Sequence, residues 1–208
     1  MLEKWRQRGG SLVELMISML LGMASLSMLA SVTGYSVGTN AKLIGQARLT
    51  EEMRAALFLI SREVRRAGLN GDSVSRVQDP ANKPSEFASS IVVGSYPGEM
   101  SDSCILFSYD MNLNGQVDKK NPNERLGFRL KDGAIEVRQA GASCDEPGWQ
   151  DLTDSQMLEI TSLSFSMVMT TSNQVTRYYV DIDLLGQLSS RPEFNRRYQQ
   201  SVMVRAYD

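Results

Sequence analysis

From Leu15 to Val32 the chain reads LMISMLLGMASLSMLASV, and no charged residue occurs between Glu14 and Lys42. A helix rises ~1.5 Å per residue and about 20 apolar residues cross a bilayer core, so this run predicts a transmembrane helix over about residues 12–37. Past Lys42 the pattern changes without ending. Leu49, Met53, Ala56, Leu57, Ile60, Val64 and Ala67 recur at steps of three or four, while Glu51, Glu52, Arg54, Arg62, Glu63, Arg65 and Arg66 fill the other face. That is the signature of an amphipathic helix, expected to end at Gly68 and Asn70-Gly71 with cations in its last turn. Gly34, Gly38 and Gly45 are its weak points, each costing ~1 kcal/mol relative to alanine, and a bend or local melting is expected there.

From about Asp72 the periodicity shifts to two. DPANKPSEF reads as a Pro-rich loop, after which SIVVGSY, CILFSYD, RLGFRL and AIEVRQ read as strands, the last two joined by a Lys131-Asp132-Gly133 hairpin turn. MLEITSLSFSMVM alternates only in part, RYYVDIDLL follows, and RRYQQSVMVRAY is the expected final strand. The fold class is therefore α+β, a long N-terminal helix whose amphipathic half packs on an antiparallel β-sheet, because both have an apolar face to bury. The organisation is a leader at 1–9, the helix at 10–70 and a sheet domain at 71–208.

Composition narrows the function. The 208 residues are 42% hydrophobic and 22% charged with a formal charge of −2, which is globular and unlike a nucleic-acid binder. There is no histidine, which removes Ser-His-Asp and Cys-His catalysis and imidazole metal sites. With no paired carboxylates, activated nucleophile or phosphate loop either, no catalytic residue is assigned and an enzyme is not expected. Lys4, Arg6 and Arg8 precede the apolar run, so the positive-inside rule gives an N-in, C-out single pass with the sheet domain outside the cytoplasm. A cleaved secretory signal is the competing reading, opposed by the length of the apolar run and by the lack of an Ala-x-Ala site closing it. Cys104 and Cys144, the only cysteines, then lie in an oxidising compartment and read as a structural disulfide, with two buried free thiols as the alternative.

Two further clusters carry candidate chemistry. Asp110, Asn112, Asn114 and Asp118 stand at positions 1, 3, 5 and 9 of a calcium-type loop with Gly115 at position 6. The twelfth position is Asn121 rather than glutamate, so any Ca²⁺ would be held weakly, with Glu124 or Asp132 as an extra ligand. The competing reading is a turn rich in residues that tolerate left-handed backbone. No cofactor is otherwise required. Arg62, Arg65 and Arg66 fit either a solvated helix end or a contact with phosphate or a partner's acidic patch.

The N-terminus supplies the most specific signal. Arg8-Gly9-Gly10-Ser11-Leu12-Val13-Glu14-Leu15-Met16-Ile17 resembles the class III signal of type IV prepilins and pseudopilins. In that family a prepilin peptidase cuts after glycine and glutamate is the fifth mature residue. The resemblance implies cleavage between Gly9 and Gly10, N-methylation of Gly10 in place of the usual phenylalanine or methionine, and pairing of Glu14 with a neighbouring subunit's free α-amine. SREVRRAGLNGD, YDMNLNGQVD with ERLGFRLKDGAIEVR, and the terminal VMVRAYD resemble the PilW-like minor pilins. The implied role is priming or capping a pilus used for twitching, adhesion or DNA uptake. Implied partners are other minor pilins, the major pilin, prepilin peptidase and the inner-membrane assembly platform, and the implied location is the inner membrane and then the pilus. A J-class pseudopilin of type II secretion and a single-pass membrane-anchored binding module are the alternatives.

Overall fold

The computed structural model describes residues 10–72, 74, 78, 85–173 and 175–204. Helix α1 spans Leu12–Val64, and the chain divides into two compact units between Gly45 and Gln46. In the first unit the apolar side chains of α1 lie bare, with Leu12, Leu20, Leu29 and Val37 all more than 60% exposed. The best 18-residue window of α1 has mean hydropathy 2.0, long and apolar enough to cross a membrane. Its hydroxyls suit such surroundings. Ser18, Ser25, Ser27, Ser31, Thr33 and Thr39 each donate to the backbone carbonyl four residues earlier, so none offers an unsatisfied O–H to hydrocarbon. Gly34, Gly38 and Gly45 are all helical, so the expected local melting is not seen.

In the second unit the amphipathic stripe behaves as its spacing predicts: Leu49, Met53, Ala56, Leu57, Ile60, Val64 and Ala67 are all buried. The helix stops at Val64, short of the expected Gly68–Gly71 end, and continues as tight turns to Gly68, whose φ is 80°. Gly68 N–H then donates to Ser108 O at 2.9 Å, and Asp110 N–H donates to Leu69 O at 2.9 Å. The helix exit is thereby stitched to the strand end at 108–110.

Eight strands follow among the described residues. β1 (Val92–Gly94), β2 (Cys104–Ser108), β3 (Arg125–Lys131), β4 (Ala134–Arg138) and β5 (Trp149–Asp151) form one antiparallel sheet in that order, and β6 (Leu158–Ser172), β7 (Val175–Leu188) and β8 (Arg191–Met203) form a second. The single expected sheet is thus two. Periodicity says which side chains point at the core but not which strand edges pair. β6 touches the first sheet through Ile160 N–H on Gly133 O and Phe165 N–H on Asp102 O. The partial alternation of β6 has a local cause, a register shift between Ile160 and Ser162. This bulge moves the buried set from Leu158 and Ile160 to Leu163 and Phe165, keeping one face on the core across a change of parity. The same core takes Ile105 and Phe107 of β2, Phe128 and Leu130 of β3, Ile135 of β4, Val180, Ile182 and Leu184 of β7, and Val202 of β8. Each such aliphatic or aromatic side chain is worth about 1.5–3 kcal/mol of burial, and together they hold the helix stripe to the sheets. β8 ends at Met203, and the last residues of its expected strand, like most of the Pro-rich loop, lie outside the described residues.

Candidate functional site

The first candidate is the start of α1. Gly10 and Ser11 are exposed, Leu15 N–H donates to Ser11 O at 3.2 Å, and Glu14 lies in the first turn. A carboxylate there faces the positive end of the helix dipole, which favours it. A methyl group built on Gly10 would stand 3.8 Å from Glu14 Oε2, so the carboxylate folds back toward the first described residue. Gly9, on the other side of the expected cleavage bond, lies outside the described residues.

The second candidate is the loop after β2. Asp110 is 1% exposed, and its carboxylate accepts from Gly71 N–H at 2.9 Å, Gly115 N–H at 2.7 Å and Asn114 N–H at 3.2 Å. Glu124, fully buried, accepts from Met111 N–H at 2.6 Å and Asp118 N–H at 2.9 Å. Asp118 takes the side-chain amides of Asn112 and Asn114 at 2.7 and 2.9 Å. The backbone comes so close at Gly71 that a Cβ there would fall 2.5 Å from Leu113 Cα. The expected calcium ligands therefore share one loop and are bound to N–H donors, while Asp132 lies apart in the β3–β4 turn with its own N–H on Glu99. Among the described residues no three acidic, cysteine or histidine side chains are grouped to hold a metal ion. At the Kd of about 10⁻⁴–10⁻³ M expected without a twelfth-position glutamate, 1 mM calcium would stabilise the chain by only about 0.4–1.4 kcal/mol. Melting in calcium against EDTA, repeated with Asn112→Ala, checks this. Coincident curves would leave the N–H donors as the loop's whole support.

Sequence reasoning missed a third assembly. Arg129 is 2% exposed and lies opposite Cys104 on β2 and Glu136 on β4. Its Nε donates to Glu136 and its Nη1 to the carbonyls of Cys144 and Glu146, at 2.6 and 3.0 Å. The Trp149 and Tyr96 rings lie 4.5 and 4.7 Å from its guanidinium carbon. Arg138 adds three bonds, from Nε to Ala142 O, Nη1 to Leu126 O and Nη2 to Gly141 O, and Arg125 adds one to Ala140 O. Burial, with Arg125 beside it, pulls the Arg138 guanidinium down to about 10, still charged at neutral pH. Cys144 in this arginine-held loop is disulfide-bonded to Cys104, with Cα atoms 6.1 Å apart. The signal was readable, since a turn pairing Lys131 with Ala134 also sets Arg129 across from Glu136. Behind α1, the Tyr109 hydroxyl donates to Glu63 at 2.6 Å, and burial together with that carboxylate drives the phenol well above its ordinary range.

Comparison with known proteins places the chain in a family. The family model described as prepilin peptidase-dependent protein B matches residues 42–204. A protein of Haemophilus influenzae described only as uncharacterized is 24% identical over 194 residues, covering 76% of this chain and 78% of its own length. The prepilin peptidase-dependent protein B of Escherichia coli is 24% identical over 168 residues, covering 74% of this chain and 75% of its own. No solved structure matches. Because the family match takes in most of the sheet domain and the amphipathic part of α1, the chain belongs to the prepilin peptidase-dependent protein B family.

Proposed function

We propose that this chain is a minor pilin of a type IV pilus, built into a priming or tip complex after prepilin peptidase cleaves between Gly9 and Gly10. The observation that carries the reading is the start of α1: a bare apolar surface from Leu12 onward that begins with a glycine and a glutamate curled back toward it. A free α-amine on Gly10 and the Glu14 carboxylate are complementary charges. In an apolar setting, where an unpaired carboxylate costs about 2.5–3.5 kcal/mol, each subunit's glutamate is best satisfied by the amine of its neighbour. Such a pair fixes the register between adjacent helices. The basic leader supports an N-in, C-out pass across the inner membrane, and the relative's name supports dependence on the peptidase. The proposed role is assembly through the helix and sheet surfaces rather than catalysis. The partners are other minor pilins, the major pilin and the assembly platform.

Mass spectrometry of chain isolated from membranes tests the reading. We expect loss of Met1–Gly9, a methylated Gly10 and a formal charge that moves from −2 to −4. Gly9→Ala should leave the precursor whole. Glu14→Ala should insert normally, since it makes the span more apolar, yet fail to enter pilin complexes. An intact Met1 would return the chain to the membrane-anchored module, and mature chain that co-isolates with secretion components instead of pilins would make it a J-class pseudopilin.

A further inference from the structure

β8 is the last strand of the second sheet, paired with β7 on one side only. Val204 N–H donates to Tyr178 O at 2.9 Å, and the register from Tyr179↔Met203 to Gln187↔Asn195 is unbroken. Antiparallel residues alternate between bonded and unbonded pairs. Tyr198, Gln200 and Val202 therefore bond to β7, while Arg197, Gln199, Ser201 and Met203 aim their backbone N–H and C=O groups away from it. Those outward groups meet no partner among the described residues. Open edges are ordinarily guarded by charge or proline, as Pro192, Glu193, Arg196 and Arg197 guard the first half of β8. From Tyr198 to Met203 there is neither.

A cavity flanks this unguarded half on each face of the sheet. On the face turned from the core, about 450 Å³ is bounded by Ser164, Ser166, Asp181, Asp183, Gln199 and Ser201. On the α1 face, about 420 Å³ lies between Gln200 and the helix end at Phe58. Side chains of a strand alternate between faces, so a strand laid along β8 sends successive residues to one cavity and then the other. Unpaired backbone with a hollow for each alternate side chain is what an added strand requires, the backbone giving affinity and the hollows selectivity. The row of N–H and C=O groups thus defines the occupant as extended peptide, and the hollows define its side chains. Asp181 lies between Ser166 on β6 and Ser201 on β8 and has no ion pair among the described residues, whereas Asp183 is paired with Arg197. Strands lie about 4.8 Å apart, so a new strand would run about 10 Å from β7, within the combined reach of a lysine and an aspartate. The small Ser201 leaves that path clear. On the α1 face Phe58, 66% exposed, offers an apolar rest to the lysine's neighbours.

We propose that the open edge of β8 receives an antiparallel strand of a partner protein, with a lysine facing Ser201 and an apolar residue on either side of it. The proposal is independent of the pilin reading, because it concerns the second sheet and the helix end alone and is tested by direct binding. The full chain in non-ionic detergent is titrated into fluorescein-labelled Ser-Thr-Val-Lys-Val-Thr-Ser and anisotropy is followed. One variant peptide is methylated on the lysine backbone nitrogen, which would face β8. A second is methylated on the nitrogen of the preceding valine, which would face solvent, and a third carries glutamate in place of lysine. We expect saturable binding, weakened at least about tenfold by the methyl on lysine and by no more than about twofold by the methyl on valine. Glutamate should weaken it about threefold or more, and Asp181→Asn should erase that preference. Ser201→Pro should abolish binding while the Trp149 emission stays that of the parent, since the Ser201 N–H takes no part in the β7 ladder. If that variant does not fold, the methylated peptides decide alone. No binding, equal loss on methylating either nitrogen, a glutamate peptide bound as tightly, or a lysine preference untouched by Asp181→Asn would overturn the proposal. Self-association of the chain that Ser201→Pro removes would also overturn it, giving the edge to β8 of a second copy.

Discussion

Arg129→Ala should lower the stability of the sheet domain by about 3–5 kcal/mol, the range found when one partner of a buried ion pair is removed. The cost has three parts. Glu136, 8% exposed, loses its guanidinium partner. The Cys144 and Glu146 carbonyls lose their donor, and Tyr96 and Trp149 lose the plane between them. Lysine should restore only a minor part, because an ammonium offers no planar fork to reach a carboxylate and two carbonyls together. Pairing Arg129→Met with Glu136→Leu should recover more than lysine does, since it removes the stranded charge. Urea unfolding of the full chain in detergent reads all of these. A loss under about 1 kcal/mol for Arg129→Ala would show that the network is solvated in the folded chain. Trp149 gives a second readout, being the only tryptophan beyond the leader, and its emission should shift in Arg129→Ala even where the chain is fully folded.

The parts of the molecule legible in the sequence are those governed by period. The stripe from Leu49 to Ala67 and the alternation of Val180, Ile182 and Leu184 against Asp181 and Asp183 need only a count of residues, and both stripes are buried where the count places them. Pairing between distant segments left less trace. β5 is three residues long, too short to show a period, and is fixed by Leu152 and by Glu136 and Arg138 lying across from Asp151 and Trp149. The division into two sheets turns on which edges meet, and the bulge at Ile160–Ser162 broke the one alternation that would have shown the long β6 clearly. At the calcium-type loop the residue types were read from their spacing, but Glu124 and Gly71 entered from outside the motif. One seals the loop from beneath and the other lets the helix exit approach its backbone. The arginines were the largest omission. Charge on a strand reads as an exposed face, and it takes the hairpin register and the facing Trp149 to show that Arg129 points into a packed layer.

Cys104→Ser with Cys144→Ser should cost about 4 kcal/mol, and its character should differ from that of Arg129→Ala. The bridge spans a separation of 40 residues, and closing a loop of that length removes about 4 kcal/mol of entropy from the unfolded chain. The folded loop, by contrast, has other anchors. Arg125, Arg129 and Arg138 donate to Ala140, Gly141, Ala142, Cys144 and Glu146, Gln139 N–H donates to Gly148 O at 2.7 Å, and the Trp149 indole N–H donates to Ser143 O at 3.1 Å. With those bonds kept, the native arrangement around Trp149 should survive loss of the bridge. The double serine variant should therefore unfold at lower urea, with a steeper dependence on denaturant because its unfolded chain is more expanded, while the emission of its folded state stays that of the parent. Non-reducing alkylation of the parent should label neither thiol. Quantitative labelling without reductant, or a double variant as stable as the parent, would remove the bridge as a source of stability and leave the arginines alone to hold the loop.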